Sequence, residues 1–450
     1  MTISGPAVDN LRSALRGQVI GPGDPGYDTT RRIFNAMIDR RPAVIARCAG
    51  AADVVVAVQF ARAEALEVSV RGGGHNVSGK AVGEGLMIDL SPMKGVRVDP
   101  RRRLAWAEAG CTLFDLDRDT QRFGLATPLG VVSATGIAGL TLGGGIGWLG
   151  GRHGLACDNV LSVDLVTADG ELLTVSADEH PDLFWAVRGG GGNFGVVTSF
   201  EYRLHEVGPV IGGGVVWPVA QARSVLRFYD EFARACPDGL SANVRFGIAA
   251  DGAPIVGIGV AWIGPLDEGE RHLQPLRSFG TPLADLVQPT SYVDKQRAGD
   301  SIYPPGRRHY WKAGFIRRLG PDAIDVLIDF FARRPSQYAI IALQQMHGAA
   351  ARVSPAATAF AHRHDQWECM MLGQWERPED DERCIAWTRE LYARMEPHLE
   401  RAVYVNSLDH DEPERVPIAY GSNYDRLAAI KARYDPGNFF RANQNVAKGA

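Results

Sequence analysis

The sequence has little of what marks membrane, nucleic-acid-binding or disulfide-stabilised proteins. Its 450 residues carry 48 Lys and Arg against 52 Asp and Glu, a net charge of −4 that offers no basic surface to nucleic acid or to an anionic membrane. The six cysteines lie far apart, with neither a C-x-x-C pair nor the spacing of a metal finger, so we expect no metal site. The N-terminus has no cationic segment followed by an apolar core, so we expect a cytoplasmic protein with small-molecule partners.

A continuous apolar helix is also missing. Residues 127–151 carry no charge and are long enough to cross a bilayer, but glycine recurs through them. Each such glycine weakens a helix by about 1 kcal/mol. The segment therefore predicts buried, glycine-lined backbone rather than a membrane span.

Three glycine clusters dominate what is present: RGGGHN at 71–76, GGGIGWLGG at 143–151 and RGGGGNFG at 188–195. Glycine lets backbone N–H groups approach an anion closely, so three such loops indicate an extended phosphate-bearing ligand, although tight turns and sheet crossings use the same residues. A P-loop interpretation of 74–80 fails because Ala81 replaces the magnesium-binding Ser or Thr. A Rossmann interpretation fails because the residues after Gly150 leave no room for the crossover helix.

Two side chains near these clusters could carry chemistry. His75 ends the first cluster with little side-chain bulk behind it, which favours a ligand or attachment point, with a solvated loop histidine as the equal alternative. Cys157, in GLACDNV, would by itself be a small buried hydrophobe.

The pattern of strands and helices that the sequence predicts changes near residue 208. Up to about 207, strands and helices alternate around the glycine clusters, and VLSVDLVTADGELLTVS predicts a hairpin with Asp169-Gly170 in its turn. From about 208 to 400, apolar strands such as QYAIIALQQM alternate with helices such as ARSVLRFYDEFARAC. A tail from about 401 contains one more helix and an Asn-rich end. We therefore predict an α+β fold of two domains.

Four motifs together resemble the FAD-linked oxidase family that includes berberine bridge enzyme, glucooligosaccharide oxidase and 6-hydroxy-D-nicotine oxidase, within the vanillyl-alcohol oxidase fold superfamily. They are VRGGGHNVSG, GGGIGWLGGRHGLACDNV, DLFWAVRGGGGNFGVVT and YDPGNFFRANQNV, spread almost end to end. The resemblance implies an FAD-binding domain made from residues 1–207 and 401–450. It also implies an inserted antiparallel-sheet substrate domain over residues 208–400.

The resemblance further implies covalent FAD, joined through an 8α bond to His75 and a second bond from Cys157, with a single bond beside a free thiol as the alternative. The other residues expected at the flavin are Arg71, Gly72, Gly73, Gly74, Asn76, Gly79, Pro128, Gly130, Gly136, Gly139, Thr141, Gly144, Gly147, Val160, Val197, Tyr420, Asn443 and Asn445.

The reaction implied is hydride transfer from a CH–OH or CH–NH group of a fairly bulky organic substrate to the flavin, with O2 as acceptor. A dehydrogenase with another acceptor, and a flavin-carrying protein with little catalysis, are the alternatives. The family strand Y-x-N-[YH]-x-D reads here as YVNSLD, which puts Ser407 where a Tyr or His base is usual. A serine hydroxyl takes no proton unaided at neutral pH. Tyr310 and Lys312, which would share one strand face, and Gln345 are the candidate replacements, although such strand pairs are often only solvent-facing.

Overall fold

The structure, a computed structural model, describes residues 3–447. The strands up to residue 207 are β1 (Gln18–Ile20), β2 (Val44–Arg47), β3 (Val68–Arg71), β4 (Leu86–Asp89), β5 (Val96–Asp99), β6 (Leu104–Glu108), β7 (Leu125–Ala126), β8 (Val160–Val166), β9 (Leu172–Ser176), β10 (Val196–Arg203) and β11 (His205–Glu206). The later strands are β12 (Val210–Pro218), β13 (Leu240–Ile248), β14 (Pro254–Trp262), β15 (Ala284–Asp285), β16 (Gln288–Thr290), β17 (Arg308–Ile316), β18 (Ile340–Met346) and β19 (Gln366–Trp375).

The helices fall into the same stretches of chain. The first seven are α1 (Gly5–Ala14), α2 (Tyr27–Thr30), α3 (Ala51–Ala63), α4 (Leu113–Thr120), α5 (Ile137–Leu142), α6 (Gly150–His153) and α7 (Pro181–Val187). The others are α8 (Ala222–Arg234), α9 (Leu266–Arg277), α10 (Tyr292–Arg297), α11 (Pro321–Ala332), α12 (Ala349–Arg352), α13 (Asp381–Met395), α14 (Val416–Tyr420) and α15 (Tyr424–Tyr434). None of the helices within residues 3–447 combines the length and hydropathy needed to span a bilayer.

Two larger sheets and a two-stranded antiparallel pair, β7 with β11, make up the N-terminal part. The first has the order β1-β2-β4-β3, in which β2, β4 and β3 are parallel and β1 is antiparallel. The second is antiparallel, in the order β5-β6-β10-β8-β9. The predicted β8–β9 hairpin is confirmed, with Gly170 at φ 80° in its turn. Because β3 ends at Arg71, this edge strand delivers the chain directly into the first glycine cluster.

A larger antiparallel sheet follows, in the order β15-β12-β14-β13-β18-β19-β17, with β16 beside β12. One face is covered by α8, α11 and α13, whose buried Leu226, Leu327 and Leu391 share a core with that face. Side chains alternate between the two faces of a strand, so every second residue of β17, β18 and β19 points away from those helices. The predicted α+β fold with an antiparallel-sheet domain is confirmed.

The hydrophobic cores follow the same division. One core joins residues between Leu11 and Leu204 to residues between Ala402 and Val446, with a few side chains such as Phe360 added from the middle of the chain. A second core is built between Ile211 and Met395. These two cores support our proposal that the domains divide at residues 207 and 400.

Candidate active site

A cavity of about 360 Å³ separates the glycine loops from the large sheet. One side, the glycine wall, is formed by residues 72–76, 136–139 and 191–192. The opposite side, the sheet wall, consists of Trp311, Gln344, Glu368, Met370 and Leu372 from strands β17, β18 and β19. The cavity therefore lies between the first core, which supplies side chains such as Val197 and Leu408 to its lining, and the face of the large sheet that is turned away from the helices.

Backbone contact between two glycines shapes the glycine wall. A Cβ on Gly73 would lie 2.4 Å from Gly136 Cα, so neither position accepts a side chain. A Cβ on Gly139 or Gly192 would meet no atom within 4 Å, because both residues face the open cavity. The predicted glycine-lined backbone thus forms a wall whose peptide groups are exposed to the cavity.

The polar groups of this wall fit an anionic dinucleotide such as FAD. Within residues 3–447, the backbone N–H groups of Gly73, Gly74 and His75 donate to no protein acceptor. Lys80 places its ammonium 2.7 Å from the Asn443 carbonyl oxygen, and Asn443 Oδ1 is buried without a partner. Free peptide donors, a nearby cation and an open amide acceptor are what a pyrophosphate and a ribityl chain require.

His75 lies on the cavity lining, as predicted. Its imidazole stacks on Phe34 at 4.1 Å between ring centroids and 30° between planes. Burial lowers the pKa of His75 to about 4, with Asp300 opposing that shift, so the ring is neutral at physiological pH. The neutral imidazole has a free nitrogen lone pair, so it is the form of the ring that can bond to a carbon centre.

Cys157 is placed differently from its prediction. Its thiol is fully buried, and Sγ lies 3.9 Å from Arg363 Nη2, beside the Arg363–Asp158 ion pair. No cysteine of the described chain is on the cavity lining. Burial and the Asp158 carboxylate raise the pKa of Cys157 to about 12. A protonated thiol that does not face the cavity is not placed for a second flavin bond, which corrects the prediction.

The other residues predicted at the flavin divide into two groups. Those on the lining are Gly72, Gly73, Gly74, Asn76, Gly130, Gly136, Gly139, Val197, Tyr420 and Asn443. Those behind it are Arg71, Gly79, Pro128, Thr141, Gly144, Gly147, Val160 and Asn445. The second group packs against the protein instead: Thr141 Oγ1 is 2.8 Å from Tyr202 OH, and a Cβ on Gly147 would strike the Leu129 carbonyl.

Tyr310 and Lys312 share one strand face, as predicted, but it is the face turned away from the cavity. Tyr310 OH donates to Asp411 Oδ2 at 2.7 Å and Lys312 Nζ to Asp411 Oδ1 at 2.7 Å. Trp311, between them, is the β17 residue on the sheet wall. Their role as proton acceptors at the flavin is therefore corrected: the strand alternation places them one residue out of register with the site.

Gln345 is offset in the same way. Its Oε1 accepts from Ala242 N at 2.9 Å and its Nε2 donates to Ala233 O at 2.7 Å, on the helix-covered face. Gln344 faces the cavity in its place. Gln345 is thus a core polar residue with its amide satisfied.

Ser407 reaches the cavity, but in a 3-10 turn (Val405–Ser407) and not in a strand. Its Oγ donates a hydrogen bond to Glu368 Oε1. Tyr404, three residues earlier, also lines the cavity, yet its hydroxyl already accepts from Gly145 N and Asn406 Nδ2. Burial raises the pKa of Tyr404, which further disfavours it as a base.

Glu368 is the site residue that the sequence interpretation missed. It lies on β19, is 1% exposed and faces the cavity. Burial raises the pKa of Glu368 to about 7, and the hydrogen bond from Ser407 opposes the shift. The available signal was one acidic residue inside the otherwise uncharged strand QWECMMLGQW. A carboxyl group that titrates near neutrality can accept a proton and later release it.

Comparisons with known proteins show which family this chain resembles. Residues 42–176 match the FAD binding domain family and residues 403–447 the berberine and berberine like family. The (R)-6-hydroxynicotine oxidase of Paenarthrobacter nicotinovorans is 33% identical over 450 residues, which cover 96% of this chain and 97% of that protein. An FAD-linked oxidoreductase of Dictyostelium discoideum is 32% identical over 98% of this chain and 96% of its own length. The crystal structure of 6-hydroxy-D-nicotine oxidase from Arthrobacter nicotinovorans superposes with a TM-score of 0.88 at 31% identity, covering 99% of both chains.

Proposed function

We propose that this chain, which belongs to the berberine-like family of FAD-linked oxidoreductases, oxidises a CH–OH or CH–NH group of a fairly bulky organic substrate with Glu368 as the proton acceptor. The observation that carries the proposal is the placement of Glu368. It is the one carboxyl group on the lining of the cavity within residues 3–447, and it faces the glycine wall across that cavity.

FAD, when bound, supplies the two-electron acceptor for the hydride. The chain's own residues supply the binding, the dry surroundings and the proton chemistry. The glycine wall offers peptide donors to the cofactor, while the apolar groups of Trp311, Met370 and Leu372 line the sheet wall and offer water few hydrogen-bond partners there. Glu368, with a pKa of about 7, exists as carboxylate in part of the molecules at neutral pH and takes the proton of the hydroxyl or amine.

Ser407 orients that carboxylate. Its hydroxyl donates to one oxygen, Oε1, and so fixes the rotamer of Glu368. The residue at the family's usual base position thus acts through a neighbouring carboxyl group. This accounts for a serine at a position where serine cannot itself take the proton.

We propose one covalent FAD bond, from His75. The neutral imidazole on the cavity lining supports it, and the burial of Cys157 beside Arg363 argues against a second bond. The name of the Paenarthrobacter relative, an oxidase, supports O2 as the electron acceptor, with H2O2 as product.

An anaerobic screen of sugars, aromatic alcohols, amines and natural-product alcohols tests this function, with bleaching of the flavin as the readout. We expect one class to bleach it, and peroxide to appear when air is admitted. Glu368→Gln should slow the bleaching about 10²- to 10⁴-fold while the bound flavin remains, the range typical of a lost general base. A flavin that bleaches without peroxide would indicate a dehydrogenase. A flavin that no compound bleaches would contradict the proposal and indicate a carrier.

A further inference from the structure

The ring of His75 is held by stacking and not by hydrogen bonds. In the described part of the chain, burial and the charge of Asp300 act on the His75 imidazole, and no hydrogen bond does. Phe34 covers one face of the ring at 4.1 Å, and His309 stacks on the other face of Phe34 at 4.5 Å with 21° between planes. Phe34 is 5% exposed and His309 1% exposed, so the stack has little room to shift. The phenyl ring of Phe34 is therefore the contact that sets the plane of the imidazole.

The backbone beside Phe34 ties this stack to both walls of the cavity. Phe34 N donates to Gly74 O at 2.9 Å, one residue before His75. Asn35 Nδ2 donates to Val77 O at 2.8 Å and to His309 O at 2.9 Å, and Asn35 Oδ1 accepts from His309 N at 2.9 Å. One buried amide thus joins the loop that carries His75 to strand β17, two residues before Trp311 of the sheet wall.

We propose that Phe34 and Asn35 are positioning residues for covalent flavin attachment, which hold the His75 imidazole in the plane from which it bonds to the flavin. The proposal rests on the attachment at His75 proposed above. Phe34 fixes the ring plane, and Asn35 fixes the distance of the His75 loop from β17. Without them a neutral imidazole with no hydrogen bonds would rotate about its side-chain bonds and spend less time in the reactive orientation.

Attachment replaces one C–H bond of the flavin 8α-methyl group with a C–N bond to His75. One proton leaves the methyl carbon and one leaves the imidazole N–H. Two electrons pass to the flavin ring and then to O2, which with the two protons forms H2O2. The step needs no other oxidant, and a misplaced imidazole slows only the formation of the C–N bond.

The test follows attachment in time. Chain produced in a riboflavin-limited host is mixed with FAD in air, and samples are denatured in acid and measured for covalent flavin by mass and by fluorescence. We expect Phe34→Leu and Asn35→Ala to attach FAD at least about 10-fold more slowly than the natural chain, since small displacements of a reacting group have effects of this size. Phe34→Tyr keeps the stacked ring and should attach FAD at the natural rate. Phe123→Leu is the matched control, because Phe123 is 52% exposed.

Non-covalent affinity separates positioning from general damage to the site. In a His75→Ala background, adding Phe34→Leu should change the Kd for FAD less than about threefold. If Phe34→Leu attached FAD within about twofold of the natural rate, this inference would be overturned while attachment at His75 would stand. The same would hold if Phe34→Leu lost as much affinity for FAD as it lost attachment rate. A natural chain that binds FAD but never attaches it would overturn the attachment at His75 and this inference together.

Discussion

Ser407 donates its hydroxyl hydrogen to Glu368 Oε1, a residue 39 positions away in the sequence. Ser407 lies in a 3-10 turn of the C-terminal segment, and Glu368 lies on strand β19 of the large sheet. This hydrogen bond favours the ionised form of Glu368, while burial favours the protonated form. The balance between them sets the pH at which the site can take a proton.

Ser407→Ala should therefore move the pH dependence of flavin reduction to higher pH. In the natural chain we expect the rate to rise with pH through about 7, the pKa of Glu368. A hydrogen bond to a charged group contributes about 1.5–3 kcal/mol, so its loss should raise the midpoint by about one unit or more. Stopped-flow measurement of flavin reduction across pH checks this. Ser407→Thr keeps the hydroxyl and serves as control; an unchanged midpoint in Ser407→Ala would contradict the assignment.

Glu368 should also make the fold less stable as the pH rises. Its pKa is about 7 in the folded chain against a reference of 4.5, so between these values the folded state holds more protons than the unfolded state. Stability is then lost on going from pH 4.5 to 7. Glu368→Gln removes this dependence and should be more stable than the natural chain at pH 8, by on the order of 3 kcal/mol at most, with little difference at pH 4.5. Urea unfolding at both pH values measures it, and a gain of equal size at both would point to a cause other than ionisation.

Lys312 and Tyr310 should matter for stability and not for chemistry. Although burial alone would raise it, hydrogen bonds from Lys312, Tyr310 and Arg389 hold the pKa of Asp411 well below its usual range. Lys312→Met leaves this partly buried carboxylate short of one partner and should lower the free energy of unfolding by about 1–3 kcal/mol. Its rate of flavin reduction should stay within about threefold of the natural chain. A 100-fold loss of that rate would return Lys312 to the list of bases.

The covalent bond should depend on His75 and not on Cys157. We expect His75→Ala to release all its flavin on denaturation, because no other histidine and no cysteine of the described chain lies on the cavity lining. Cys157→Ala should keep one covalent flavin per chain, since its thiol faces Arg363. Mass measurement of acid-denatured protein distinguishes these results. A Cys157→Ala chain with no covalent flavin would show that the thiol reaches the cofactor after all.

The sequence by itself determined the fold class and, through its resemblance to a known family, the FAD cofactor, whereas attachment at His75 stays a proposal. The fold class follows from local patterns, such as Asp169-Gly170 at a hairpin turn and the alternating apolar residues that form the strands, and the cofactor follows from the four motifs that resemble the family. Such patterns depend on residues that are close together in the sequence, so they can be recognised without the tertiary structure. The sequence singled out His75 because it stands inside VRGGGHNVSG, one of the four motifs that resemble the family.

Only the tertiary structure decided which side chains line the cavity. Alternation along β17 says that Tyr310 and Lys312 share a face, but packing of α8, α11 and α13 decides which face is covered and which borders the cavity. Glu368 meets Ser407, Cys157 meets Arg363 and Phe34 meets His75 only after distant segments pack together. The environment that sets a pKa or holds a ring is built from such contacts, which is why the chemistry of this site could not be derived from the motifs alone.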